Sequence, residues 1–350
     1  TSGDSITDSG VITVAGTASF TTDISDKSIT LNNQNAITGQ VTFDTTSTGG
    51  NVIFDNGTTA ISLGTIVGGN IGGDLTLLTD ADQTISNNIT LAGSGADLSI
   101  TVDNAKSLTV QATLTTSAGD ITLSADDDVI FTVNGDISST NGNILVTADD
   151  DGTDDAGTGG ALTMVDGTVF DGGSGTITGV ADEDIILGQM TTTNATSTAI
   201  TLNTTSGNIL DGDSLGNNDL TAASGTVALT IGGNGTFGTT ANPIEITSAT
   251  TTGIPEETPI PDKILEGSDE TVGEASVDQT INIVQNVIII VQVFNLIVPG
   301  SSVLTVFPGI NTGPFIVNVY SQSYALIKLG GADPQIAPAL QQLNNLWLNF

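Results

Sequence analysis

The chain has 350 residues and carries 39 acidic side chains against four lysines, with no arginine, histidine or cysteine and a net charge of −35. Nothing is available to neutralise a phosphate backbone, which excludes nucleic acid as a partner and disfavours an anionic membrane surface. The same absences remove disulfides, His-ligated zinc and Ser-His-Asp or Cys-His nucleophiles from consideration.

Disorder is not the expectation despite this charge, because 37% of the chain is apolar and its apolar residues are periodic. From residue 29 to 144 one short strand recurs every 23 residues, opening at Ile29, Val52, Leu75, Leu98, Ile121 and Ile144. The partners two positions on are Leu31, Phe54, Leu77, Ile100, Leu123 and Val146. Alternation turns these pairs inward and sends Thr30, Thr76, Ser99 and Thr122 outward. A glycine (Gly50, Gly73, Gly119, Gly142, with Ala96 in the same slot) followed by Asn51, Asp74, Asp97, Asp120 or Asn143 precedes each strand. The phrase reads as a corner, with Gly supplying positive φ and Asn or Asp bonding its own backbone.

Each coil carries a second, less regular strand, at residues 41–43, 61–63, 89–91, 108–110 and 129–131. The register loosens at the Asp-rich stretch 149–160 and resumes with Leu162 to Ile185 and Ile177 to Ile200. A fixed period of this kind marks a repeat architecture. The fold expected for residues 1–253 is therefore an all-β parallel β-helix (β-solenoid) rod with ~23-residue coils rising ~4.8 Å each.

The character changes after residue 253. Residues 254–279 hold Pro255, Pro259 and Pro261 among acidic side chains and read as a linker. Residues 280–350 read as a small, apolar, β-rich C-terminal domain for assembly or capping. Its β-branched run 281–298 is broken by Asn and Gln and lacks lysine anchors, so no membrane span is expected. The tail spaces Ile336, Leu340, Leu343 and Trp347 as one face of a short helix.

Catalysis finds no support among these residue types, and no enzyme is expected. The stronger constellation is a column: Asp80, Asp103, Asp126 and Asp149 also recur every 23 residues. In register they stack at one corner, where like charges oppose one another unless a cation intervenes. With Asp128 and Asp151 beside them they form a candidate Ca²⁺ ladder, since hard cations take all-oxygen coordination. A solvated acidic edge is the alternative reading of the same residues.

The phrases Gly119-Asp120-Ile121-Thr122-Leu123 and Gly142-Asn143-Ile144-Leu145-Val146 resemble those of filamentous-haemagglutinin-like bacterial exoproteins and related large repeat adhesins. The likeness spans roughly residues 10–250. It implies a right-handed parallel β-helix, export and a role in adhesion or extracellular fibres. A start at Thr1 rather than Met fits a processed, secreted product at the cell surface.

Three functions are carried forward. The first is an extracellular fibre or matrix subunit that assembles head to tail with itself through residues 280–350, with divalent cations as further partners. The second is an adhesin displaying a receptor or glycan site, for which stretches 149–160 and 211–219 are the candidate loops. The third is an ice-binding solenoid, disfavoured because the outward Thr residues form a single short rank.

Overall fold

The computed structural model describes residues 1–46, 49–67, 69–149, 159–212, 218–239 and 241–254. Every regular element among them is a β-strand, and the strand pairs are parallel. The chain winds as a solenoid, and a regular turn lays down three short strands on three faces.

The first face is ten strands deep. It holds Ile6–Thr7, Ile29–Leu31, Val52–Asp55, Leu75–Thr79, Leu98–Val102, Ile121–Ala125, Ile144–Ala148, Ile177–Ala181 and Ile200–Thr204, then the later half of Leu220–Ile231. The second face holds Gln83–Ile85, Leu108–Val110, Val129–Phe131, Leu162–Met164, Ile185–Leu187 and Ile209–Asp211. The third holds Ile89–Leu91, Leu114–Thr116, Ile137–Ser139, Val169–Asp171, Gln189–Thr191 and the start of Leu220–Ile231.

The expected register holds residue for residue: Ile29 pairs Val52, Val52 pairs Leu75, and so on to Ile121 with Ile144. The next step, Ile144 to Ile177, is 33 residues, and the one after, Ile177 to Ile200, returns to 23. The ten-residue excess of 33 over 23 falls after Ala148, where the acidic stretch interrupts the period. A last step of 27 joins Ile200 to Val227.

The core is the stack of inward positions, one contiguous apolar cluster from Ile29 to Ile246. Phe131 and Phe170 meet edge to face at 4.7 Å, and Phe43 bridges Phe20 and Phe54 at 5.9 and 5.3 Å. Such geometries are the favourable ones for aromatic rings.

Two expectations need correction. The irregular second strand is really two sets: residues 41–43 and 89–91 belong to one face, and 108–110 and 129–131 to another. The missing members, such as Gln83–Ile85, Leu114–Thr116 and Ile137–Ser139, are three residues long and half polar, too short to show a period. Second, Gly50, Gly73, Gly119 and Gly142 do not occupy the left-handed region. A Cβ on Gly119 would collide with the Ala96 carbonyl of the preceding coil, and one on Gly142 with that of Gly119. Close approach of stacked backbones, rather than turn conformation, requires glycine there.

The five-residue strands of the first face also present two outward ranks rather than one. Ser99 stands with Thr101, and Thr122 with Ser124, although Ser124 itself is buried. Leu78, Leu145 and Val180 interrupt these ranks, so no continuous hydroxyl surface results.

At the last described turns, Leu220–Ile231 runs from the third face into the first without a break, pairing Gln189–Thr191 and then Ile200–Thr204. Ile246–Thr252 lies on top of it, with a register shift between Ala222 and Thr226. Among the described residues, no strand covers its outer edge. No helix among the described residues is long and apolar enough to cross a membrane. Run 281–298, the linker from residue 255 onward and domain 280–350 lie outside the described residues.

Candidate functional site

The most regular chemistry of the molecule is a polar line along one corner of the first face. The residue just before each strand accepts a hydrogen bond from the backbone N–H of its counterpart in the next coil. Ser28 N donates to Ser5 Oγ (3.2 Å), Asn51 N to Ser28 Oγ (3.1 Å) and Asp74 N to Asn51 Oδ1 (3.0 Å). Asp97 N donates to Asp74 Oδ1 (3.0 Å), Asp120 N to Asp97 Oδ1 (2.8 Å), Asn143 N to Asp120 Oδ1 (2.7 Å) and Thr176 N to Asn143 Oδ1 (3.0 Å). The expectation that these side chains cap their own backbone is thus corrected: they tie one coil to the next. Parallel stacking places each side-chain oxygen under the amide one turn on, so the requirement is an acceptor of short reach, met by Ser, Asn or Asp.

The second face has a similar device at its entry corner. Ala161 N donates to Asp128 Oδ1 (3.0 Å), Asn208 N to Asp184 Oδ1 (2.7 Å) and Thr236 N to Asn208 Oδ1 (2.9 Å). Asp128, a candidate calcium ligand, therefore already spends one oxygen on the coil above.

Asp80, Asp103, Asp126 and Asp149 each follow directly on the paired strand ends Thr79, Val102, Ala125 and Ala148, so register stacks them at one corner. Asp103 N and Asp126 N continue the bonding of the strands, to Thr79 O (2.9 Å) and Val102 O (3.0 Å). At Asp149 the backbone turns away with φ 61°, and its N–H bonds Asp127 O instead (3.2 Å). Asp151 lies outside the described residues.

Among the described residues, the acidic trio whose carboxylate oxygens lie within 4.8 Å of one another is elsewhere: Asp211, Asp219 and Glu245. Three segments bring it together. Asp211 ends the strand Ile209–Asp211 and pairs with Leu187 of the coil below. Asp219 immediately precedes Leu220–Ile231, and its carbonyl accepts from Met190 N (2.7 Å). Glu245 precedes Ile246–Thr252 and sits opposite Asp219. Its N–H donates to Asp219 Oδ2 (2.6 Å), while its carbonyl accepts from Asp219 N and Leu220 N.

Two of the trio are buried and Asp211 is half-buried. Asp219 is fully shielded and Glu245 is 9% exposed, between the buried Ile244 and Ile246. Two unit charges no more than 4.8 Å apart repel by about 3 kcal/mol or more at an effective dielectric of about 20. The arrangement can do one thing readily in chemical terms, which is to coordinate a hard cation through oxygen.

Sequence reasoning marked 211–219 only as a loop and missed this convergence. The signal was available in the register. The inward column of the second face runs Ile85, Val110, Phe131, Met164, Leu187, and its next member is Asp211.

Residues 1–44 match a family model described as "Repeats of unknown function (DUF5649)". No curated protein and no solved structure gave a significant match. The match and the stacked coils together make the chain a repeat protein with a β-solenoid arrangement.

Proposed function

We propose that the chain is a non-enzymatic structural protein, a secreted subunit of a surface fibre or matrix filament that joins end to end with copies of itself. One observation carries this reading: coil after coil repeats the same side-chain-to-backbone bond in an unbroken line from Ser5 to Thr176, whether the acceptor is Ser, Asn or Asp. Such a surface is built to continue rather than to receive one ligand.

The two ends support the same reading. Ile6, Ile12, Val14, Ala18 and Phe20 of the first coil are only partly buried against the core, and Ile246–Thr252 has an outer edge without a strand partner among the described residues. Unpaired strand edges invite strand addition, and a head-to-tail contact that does not close makes a filament. In this proposal residues 280–350 make the junction, and divalent cations occupy the acidic corner of Asp80, Asp103 and Asp126. The resemblance to filamentous-haemagglutinin-like exoproteins points the same way.

Deleting residues 280–350 is the test. Assembly is expected to be lost while circular dichroism of the rod is unchanged; filaments that persist would refute the assignment of the junction. An adhesin is the second reading, favoured by the ten-residue excess after Ala148, where a binding loop would be displayed. Removing that excess should abolish cell binding if an adhesin is correct and leave filament formation unchanged if it is not.

A further inference from the structure

We propose that Asp211, Asp219 and Glu245 form a binding site for one divalent cation, Ca²⁺ by its chemistry, which ties the last three described segments of the solenoid together. The site is separate from the corner column of Asp80, Asp103 and Asp126, and does not depend on filament formation.

The first observation is positional. Asp211, half-buried, stands in register with the fully buried Leu187 at the end of an inward column that is otherwise apolar. A carboxylate beside two buried ones is stabilised by a compensating positive charge. The second is the state of Glu245. It is nine-tenths buried, its Oε2 has no hydrogen-bond partner, and it lies within 4.8 Å of the other two carboxylates. Buried polar atoms in native proteins are almost always satisfied, and a bound ion is a standard reason for an exception.

No lysine among the described residues can serve. Lys27 pairs with Asp4 at 2.8 Å in the first coils. Lys106 sits just before Leu108, whose column reaches Ile209 only after four coil steps: Val129, Leu162, Ile185, Ile209. At ~4.8 Å per step that is roughly 19 Å away.

The local chain path is built for such a site. In the preceding coil the second and third faces are joined by a step of two, from Leu187 to Gln189; here the step from Asp211 to Asp219 is eight. Asp211 and Asp219 stand at the two ends of that step. The third ligand is held by the turn before it, where Phe237 bridges to Ile209, Gly238 has φ 60° and Asn242 Nδ2 donates to Asp211 O (3.2 Å). Metal size fits as well. Oxygens on opposite sides of Ca²⁺ stand about 4.6–5.2 Å apart and of Mg²⁺ only about 4.0–4.2 Å, from their ligand distances. Three carboxylate oxygens within 4.8 Å of one another are close enough to share a cation of this size.

The experiment uses the full chain, stripped with EDTA and melted at physiological ionic strength over a CaCl₂ titration. Compared are wild type, Glu245→Gln, Asp211→Leu and the exposed control Asp23→Asn. Wild type and control should gain several degrees with a half-point below about 1 mM, in the range of extracellular calcium modules. Glu245→Gln should melt higher than wild type in EDTA, because a like charge is gone, and bind Ca²⁺ at least tenfold more weakly. Asp211→Leu restores the apolar column, so it should fold readily and lose the response. No calcium shift in wild type would overturn the proposal. So would shifts in Asp211→Leu as large as in the control, which would put the ion on the acidic surface.

Discussion

Gly119, Gly142 and Gly175 stand where the backbone of one coil runs against the carbonyl of the coil before it, at Ala96, Gly119 and Gly142. Adding a single methyl group at Gly142 has to move one backbone away from the other. The Gly142→Ala variant is expected to lose about 1–3 kcal/mol, as overpacked sites do, measured by urea unfolding. An unchanged midpoint would contradict the close-approach explanation. Asp97, one residue along, tests the ladder. Its exposed carboxylate accepts from Asp120 N at 2.8 Å. Asp97→Asn keeps an acceptor, as Asn51 and Asn143 do elsewhere in the line, and should be neutral or slightly stabilising. Asp97→Ala removes it and should cost about 0.5–1.5 kcal/mol.

Asp8 shows the same acceptor role at the first coil. Burial raises its pKa, but hydrogen bonds from the Asn35 and Asn33 side chains and from the backbone of Asn33 and Asn32 outweigh this, and the net shift is below the usual 3.8. A depressed carboxylate contributes stability that is complete above its unfolded pKa and is lost as pH falls through the folded one. The wild type should therefore lose part of its first-coil protection below about pH 4. Asp8→Asn should show a flatter acid dependence, read by amide exchange at residues 29–37.

At the scale of strands, the first face was legible because five apolar-alternating residues at a fixed interval leave a pattern that two-state inside/outside chemistry enforces. Val52, Leu75, Leu98 and Ile121 could hardly be read otherwise. The other two faces were partly hidden, for a physical reason: three residues such as Leu114–Thr116 need only one or two apolar side chains to close a narrow prism. The corner residues were found but given the wrong partner, since contact with a residue 23 positions on is invisible to local turn rules. The candidate cation site was not read at all. Asp211 looked like a loop residue until pairing with Leu187 placed it in a core column. Packing within these strands remains conventional. Truncating Phe131, which is fully buried and meets Phe170 edge to face, should cost about 3–5 kcal/mol.

At the scale of the whole molecule, a solenoid is a one-dimensional stack whose stability is a sum of coil and neighbour terms. Ten first-face strands at ~4.8 Å make a rod on the order of 50 Å. A net charge of −35 with few cations works against that stack through self-repulsion. Raising KCl from about 10 to 150 mM shortens the screening length from roughly 30 to 8 Å, so the melting temperature should rise with salt. In the proposed filament the same charge would oppose lateral clumping of rods. Negative-stain electron microscopy of the purified full-length chain, with and without Ca²⁺, tests this most directly. Unbranched filaments one rod wide are expected, formed end to end; a field of dispersed short rods at every protein and calcium concentration would contradict it.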